Sequence, residues 1–515
     1  MNLNHPSLND VNPAQQQAVH YQDDHLLIVA GPGTGKTHTL TQRICQLTDK
    51  LRPLEKILAI TFTNKAAEEM RERLRERMSG EIKNVTVGTF HSFCLQILRE
   101  HIPFTNFLKN FQVASPEQID RWAKEIWPEQ PANKRAGLLN EVRDYKTKAP
   151  EEVLPTIVST YNQYLQEKGF VDFDDLLLEA VHLLKVRDEV HRKIQRIYRF
   201  ICVDEYQDIN AVQHALLKTL MGSNNVLTAI GDPNQAIYGF RGSDVRFFES
   251  FSKDFPGAVT LSLAENYRSP ANLLKASGQV IAGGNKFRVP ELVAKIYEKG
   301  RLVFYDAPTD KAEAEYVVHQ IERLIGGTSM FSVDSGRVTP SKEVKHSFAD
   351  FAVLYRLNAQ RRLLEEAFNR SGIPFRVSGQ KSFADEELAA YRNFEESDLE
   401  KVNLMTLHAA KGLEFPVVFI VGCEKKLIPL QLENMTSDAQ EERRLFYVGM
   451  TRAKENLYLI RAQRRCLYGK TYEPLPSPFL SDIAEDLKAY EAMKQKTVKK
   501  KFPEKQMDLF GVPKR

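Results

Sequence analysis

The chain has 515 residues, 42% of them hydrophobic and 27% charged, with a formal net charge of +4. That length predicts three or four folding units of about 100–200 residues each, and the composition excludes wholesale disorder. No apolar run approaches the ~18 residues of a membrane span. The five cysteines (Cys45, Cys94, Cys202, Cys423, Cys466) never form a C-x-x-C pair. Their scatter argues against a disulfide framework or a zinc site and predicts a cytoplasmic protein.

The charge is uneven. Residues 494–515 carry eight Lys or Arg against two acids, a net of +6, which leaves −2 for the rest of the chain. A near-neutral body can still bind nucleic acid through a local groove.

The first apolar run, 25–30 (HLLIVA), leads straight into Gly31-Pro32-Gly33-Thr34-Gly35-Lys36-Thr37 and a helical pattern over 38–47. Strand, glycine-rich turn and helix in that order make a Walker A loop. Small residues let backbone N–H groups curl around phosphates, and the helix N-terminus adds partial positive charge. Lys36 is placed to reach the β- and γ-phosphates of ATP, and Thr37 to hold Mg²⁺. Ala30 stands at the first glycine position of the strict pattern.

A second strand is predicted at 57–61, followed by Thr61-Phe62-Thr63-Asn64-Lys65-Ala66-Ala67, and a third at 85–88, followed by Thr89-Phe90-His91-Ser92. About 95–170 reads as mostly helical, with Trp122, Trp127, Tyr145, Tyr161 and Tyr164 among charged residues, which suggests an inserted subdomain. The strand 200–204 (FICVD) ends in Asp204-Glu205, a carboxylate pair suited to a Walker B site. Asp204 would take Mg²⁺ and Glu205 would activate water. After the strand 226–230 comes Gly231-Asp232-Pro233-Asn234-Gln235-Ala236-Ile237-Tyr238-Gly239-Phe240-Arg241-Gly242. These three polar, aromatic segments lie at strand C-terminal ends, where α/β sheets bind ligands, and they suit stacking on single-stranded nucleic acid.

A second α/β set follows, with strands at 302–305, 351–355, 402–406, 417–421 and 457–460. Residues 326–347, rich in Gly, Ser and Thr, read as a long surface loop. The Lys-rich chain after about 490 reads as a flexible tail.

In combination these motifs resemble the UvrD/Rep/PcrA family of superfamily 1 DNA helicases, in order across about 8–480. The match begins at 8–19 and the P-loop. It continues through Asp172-Phe173-Asp174-Asp175-Leu176, the 204–208 acidic segment and Glu265-Asn266-Tyr267-Arg268-Ser269. It closes with 351–358, Met405-Thr406-Leu407-His408-Ala409-Ala410-Lys411-Gly412-Leu413-Glu414-Phe415 and Tyr447-Val448-Gly449-Met450-Thr451-Arg452-Ala453. The resemblance implies an α/β fold of two RecA-like P-loop NTPase domains, parallel sheets flanked by helices, with a helical insertion in the first.

The implied boundaries are 1–94 with 170–264 for the first domain, 95–169 for the insertion, 265–483 for the second domain and 484–515 for the tail. The resemblance also implies roles. Gln15 would read the adenine, Tyr267 stack on it and Glu414 hold the ribose, with 30–38, including His38, forming the nucleotide cradle. Gln235 would sense the γ-phosphate, with Arg268 and Arg452 as arginine fingers. On single-stranded DNA and at single–double-strand junctions the expected contacts are Phe62, Thr63, Asn64, Thr89, His91, Tyr238, Phe240, Arg241 and His408. Phe240 stands where the family usually has Trp.

Two features depart from the usual family plan. Only 379–402 occupy the place of a large helical insertion in the second domain, too few for a domain of ~100 residues. In the tail, Gln506-Met507-Asp508-Leu509-Phe510 resembles a bacterial sliding-clamp-binding peptide, with Gln506, Leu509 and Phe510 as its anchors. The expected activity is an ATP-dependent, 3′→5′ single-stranded DNA translocase or helicase of repair or replication. A DNA-dependent ATPase that strips proteins, or a clamp-tethered single-strand-binding protein, are the alternatives.

Overall fold

Apolar runs too short for helices and bounded by turn residues become the central strands of two parallel sheets. The computed structural model describes residues 11–22, 24–78, 82–148, 154–284, 290–296, 298–326, 346–378, 400–432 and 435–491. The first sheet runs, edge to edge, Val85–Thr89, Lys56–Thr61, Tyr198–Val203, Val226–Gly231, Leu26–Ala30 and Val259–Leu263, every neighbour parallel. Alternate residues feed opposite faces. Leu27, Val29, Leu58, Ile60, Ile201 and Val203 join one core, while Leu26, Ile28, Ala30, Ile57, Ala59 and Cys202 join the other. That period of two is what a pleated strand imposes.

The second sheet runs Phe375–Val377, Val402–Thr406, Phe351–Tyr355, Phe415–Ile420, Ala453–Ala462, Arg301–Ala307 and Ala489–Glu491, again all parallel. It too carries a core on each face. Parallel neighbours require crossover connections, so helices cover both sheets and the strand C-terminal ends gather on one edge of each.

Between the helices Phe90–Glu100 and Phe173–Val186, the chain leaves the first domain to form the helices Pro116–Ile126, Ala132–Thr147 and Thr156–Glu167. A short parallel pairing of Gln112–Val113 with Phe170–Val171 makes the neck. Ala114, Trp122, Val142, Val158, Tyr161 and Leu165 form a core of their own. Ile97, Leu98 and Phe111, which the sequence reading placed in the insertion, pack into the first domain instead.

Residues 484–491 were expected in the tail. They contain the edge strand Ala489–Glu491, which pairs with Arg301–Ala307 and brings Tyr490 against Phe304. Most of the 326–347 loop, most of 379–402 and the peptide 506–510 lie outside the described residues. Among the described residues, no helix is long and apolar enough to cross a membrane.

Candidate active site and nucleic-acid interface

The strand Leu26–Ala30 delivers the chain into a turn that only glycine accommodates well. Gly33 and Gly35 have φ of 68° and 80°, in the left-handed region. A Cβ on Gly33 would sit 2.6 Å from Asn266 Nδ2. Ala30, by contrast, is a core residue of the strand without left-handed φ, so alanine fits where the strict pattern has glycine. The loop is braced on several sides. Thr34 Oγ1 donates to Gly31 O (2.8 Å), Gln15 Nε2 to Thr34 O (2.9 Å), Asn266 Nδ2 to Pro32 O (2.6 Å) and Tyr267 N–H to Gly33 O (2.8 Å). Lys36 opens the helix Lys36–Thr48 and points its ammonium at Ala30 O (3.3 Å) and Gly31 O (3.4 Å). A braced loop of backbone N–H groups at a helix N-terminus, beside a lysine, is a receptor for polyphosphate.

Asp204 and Glu205 follow the strand Tyr198–Val203. Glu205 has φ of 50°, a backbone strain held by its surroundings. Its N–H donates to Asp204 Oδ1 (2.9 Å), and Gln207 Nε2 donates to Glu205 Oε2 (2.5 Å). Burial, then the Glu205 charge, pushes the Asp204 carboxyl up to about 7. Burial also pushes Glu205 upward, but the charges of Lys36 and Lys411 and the Gln207 hydrogen bond hold it below the usual carboxylate range. The two carboxyls are thus pushed in opposite directions, with the cationic neighbours favouring the charged form of Glu205.

The Thr37 hydroxyl and the Asp204 carboxylate are hard oxygen donors, which suit Mg²⁺. Among the described residues, no group of three or more His, Cys, Asp or Glu could hold a metal ion. Mg²⁺ needs no such cage when phosphates and water complete its shell.

The second domain closes against this edge. Arg452, two residues past the helix Ala439–Met450, is buried. Its Nε donates to Val448 O (2.9 Å), Nη1 to Leu413 O (3.1 Å) and Nη2 to Gln235 Oε1 (3.3 Å). Burial, then the Arg268 charge, pushes its guanidinium down to about 9. Gln235 Nε2 in turn donates to Asp232 Oδ2 (2.7 Å). Arg268 pairs with Glu414 (2.7 Å), which also holds Lys454 (2.5 Å).

Tyr267 is 38% exposed and donates its hydroxyl to Glu265 Oε2 (2.6 Å), near the start of the helix Pro13–His20 that carries Gln15. His38 meets Arg77 Nη2 at 3.3 Å and so faces the helix Asn64–Arg77. Gln15, the 30–37 loop, Asp204, Glu205, Gln235, Arg268, Tyr267, Glu414 and Arg452 thus gather where the two domains meet.

On the same edge of the sheets runs an aromatic ladder. Phe62 and Tyr238 stack with ring centroids 5.4 Å apart and planes 10° from parallel. Phe240 stands edge-on to Tyr238 (6.2 Å) and to His408 of the second domain (5.5 Å), with 60% of its surface exposed. Arg241 lies over both the Tyr238 and Phe240 rings. Phe62, Thr89, His91, Tyr238 and Arg241 line a cavity of about 320 Å³ beside it.

Two of the expected contacts have other work. Thr63 Oγ1 accepts from Ala66 N–H (3.1 Å) and Thr89 Oγ1 from Ser92 N–H (3.2 Å), each capping a helix. Asn64 is the first residue of the helix that Thr63 caps. Capped N-termini still present positive dipole ends to a phosphate backbone.

The structure adds residues that the sequence reading did not single out. Lys411 reaches from the second domain to Asp208 Oδ2 (2.5 Å) and Gln235 O (2.7 Å), with its ammonium 4.8 Å from the Tyr238 ring centre. Lys146, fully buried, pairs with Asp172 (2.8 Å) and Asp175 (2.6 Å) and lies against Tyr161. The Asp-Phe-Asp-Asp segment is therefore the anchor of the insertion. A lysine at 146 facing acids at 172 and 175 leaves no periodic signal, because its partners are remote in sequence.

Two parallel sheets with a P-loop, a strand-end carboxylate pair and an arginine supplied from the second domain define a two-domain P-loop NTPase. The family model described as the UvrD/REP helicase N-terminal domain matches residues 11–256, and that of the UvrD-like helicase C-terminal domain matches 261–391 and 386–464. The chain belongs to the UvrD/REP helicase family. Among its relatives, the ATP-dependent DNA helicase PcrA of Staphylococcus aureus strain Mu50 is 28% identical over 654 aligned positions, covering 93% of this chain and 87% of the relative. That of Staphylococcus epidermidis is 28% identical over 667 positions, covering 96% and 89%. Both alignments are longer than the 515-residue chain and so carry long gaps opposite it.

Proposed function

We propose that this chain is an ATP-dependent DNA helicase that translocates 3′→5′ along single-stranded DNA. The observation that carries the reading is a single loop. From Asp232 to Arg241 it places Gln235 against Arg452 in the nucleotide cleft and Tyr238, Phe240 and Arg241 on the aromatic ladder. A change at the phosphate end of this loop is felt at the base-stacking end. Membership of the family and the names of its PcrA relatives support the same activity.

In this reading Lys36 binds the β- and γ-phosphates, and Glu205, ionised and tethered by Gln207, orients water for attack. Thr37 and Asp204 would hold Mg²⁺, which when bound neutralises phosphate charge. Gln15 and Tyr267 bound the adenine side, and Glu414 faces the ribose. Arg268 and Arg452 stabilise charge that develops on the transferred phosphoryl group. Closing of the cleft around ATP and reopening after hydrolysis would shift the grip of the two domains on DNA alternately.

Arg452→Ala tests the reading. ATP binding should stay largely intact while DNA-stimulated turnover falls by about 10³ or more, the effect of losing an arginine finger. Turnover that stays within a few-fold of wild type would remove Arg452 from the mechanism.

A second reading has its own support. Phe375–Val377 and Val402–Thr406 are neighbouring parallel strands, and the two dozen residues joining them suffice for one crossover but not for a further subdomain. A motor lacking that subdomain could clear proteins from DNA while unwinding little. We also assign the peptide 506–510 to a sliding clamp. Its deletion should abolish capture by purified clamp and leave ATP turnover unchanged, and retained capture would reject the assignment.

A further inference from the structure

The loop that links nucleotide to DNA belongs to the first domain by sequence, yet it is held by the second. Ile237 and Tyr238 are buried in the second domain's core, among Leu273, Ala410 and Phe446. Two side chains of the helix Ala439–Met450 grasp its backbone. Arg444 Nε donates to Ala236 O (2.6 Å), and Gly239 N–H donates to Glu441 Oε1 (3.0 Å). The approach at Gly239 is close, since a Cβ there would lie 2.5 Å from Glu441 Oε2. Just past the end of this helix, the Arg452 guanidinium meets Gln235 at the phosphate end of the loop. The helix therefore touches this loop at residues 236 and 239, immediately before the exposed Phe240, and the residue two past its end touches 235.

We infer that Glu441 and Arg444 are positioning residues that clasp the Ala236–Arg241 loop to the second domain, so that cleft closure on ATP moves the base-stacking Phe240 and Arg241 with it. The inference rests on the translocase reading above. Neither residue touches the nucleotide cleft itself, so the clasp acts on how turnover is converted to stepping and leaves the chemistry alone. A helix transmits displacement along its axis with little bending, and two backbone contacts on successive turns fix the loop in both position and rotation.

The test compares the full-length wild type with Glu441→Ala and Glu441→Gln. The readouts are ATP hydrolysed per nucleotide travelled on single-stranded DNA, DNA-independent ATP turnover and the thermal midpoint. Losing a charge-assisted hydrogen bond should raise ATP per nucleotide by about fivefold to tenfold in Glu441→Ala, with basal turnover and thermal midpoint unchanged. Glu441→Gln keeps a carbonyl acceptor for Gly239 N–H and should stay within about twofold of wild type. Wild-type coupling in Glu441→Ala, or equal uncoupling in both variants, would overturn the clasp. A wild type that neither speeds hydrolysis on DNA nor moves along it would overturn the translocase reading, and the clasp with it.

Discussion

Glu205 shows how residue chemistry and backbone conformation meet in this site. A non-glycine residue at φ of 50° costs roughly 1–2 kcal/mol, yet here the carboxylate lies within the field of Lys36 and Lys411. His408 shows the opposite environment. Burial, followed by the nearby charges of Arg356, Arg241 and Lys411, pushes its imidazole down to about 3. It therefore stays neutral in the folded protein where an unfolded chain would already be protonated.

A histidine with a depressed folded-state pKa contributes stability above its unfolded value of ~6.5, and that contribution is lost as pH falls toward its folded value. Between about pH 7 and about pH 5 the loss amounts to about 2 kcal/mol. His408→Gln should accordingly show a smaller acid-induced drop in thermal midpoint than the wild type. An equal drop in both would mean that the ring is not held neutral.

At this scale the sequence revealed the residues that sit in contiguous motifs, such as Lys36, Asp204 and Gln235. It did not reveal Lys411, Glu441 or Arg444 as partners of the first domain, because each meets its partner across the cleft, some two hundred residues away.

Among the elements, the central strands and one edge strand, Val85–Thr89, were legible, and the other three sheet edges were not. Leu26–Ala30, Phe351–Tyr355 and Phe415–Ile420 are buried on both faces and read as unbroken apolar runs. Val259–Leu263, Phe375–Val377 and Ala489–Glu491 are edge strands, short or half-exposed, with polar residues that blunt the signal. The insertion was legible as helical from its aromatic residues, but its point of departure was not. Apolar residues at 93–111 serve the first domain's core equally well by pattern.

What fixes the insertion is an ion cluster. Burial pushes the Lys146 ammonium down, but Asp172 and Asp175 more than offset this and hold it above its ordinary value. Lys146→Met would leave two buried acids facing each other without a cation, at about 3–5 kcal/mol. Hydrogen exchange should then speed up across the helices Ala132–Thr147 and Thr156–Glu167, while the strand Lys56–Thr61 keeps its protection. Unchanged exchange in the insertion would show that apolar packing alone anchors it.

Across the whole molecule, the +4 net charge divides into a body of −2 and a basic terminus of +6. The face expected to meet DNA is correspondingly a ladder of Phe62, Tyr238, Phe240 and His408 with Arg241 above it, and not a broad basic surface. Stacking on such rings is tolerant of sequence, as a motor that must pass every base requires. Two parallel sheets share the load, each offering its strand C-terminal edge to a common cleft, and one loop joins that cleft to the ladder. The central claim is that ATP turnover in the cleft drives directed movement along one DNA strand and opens duplex ahead of it. Strand displacement on duplexes carrying a 3′ or a 5′ single-stranded tail, with ATP and Mg²⁺, tests it most directly. Displacement of the 3′-tailed duplex alone is the predicted result, and displacement of neither duplex, or of the 5′-tailed one only, would contradict it.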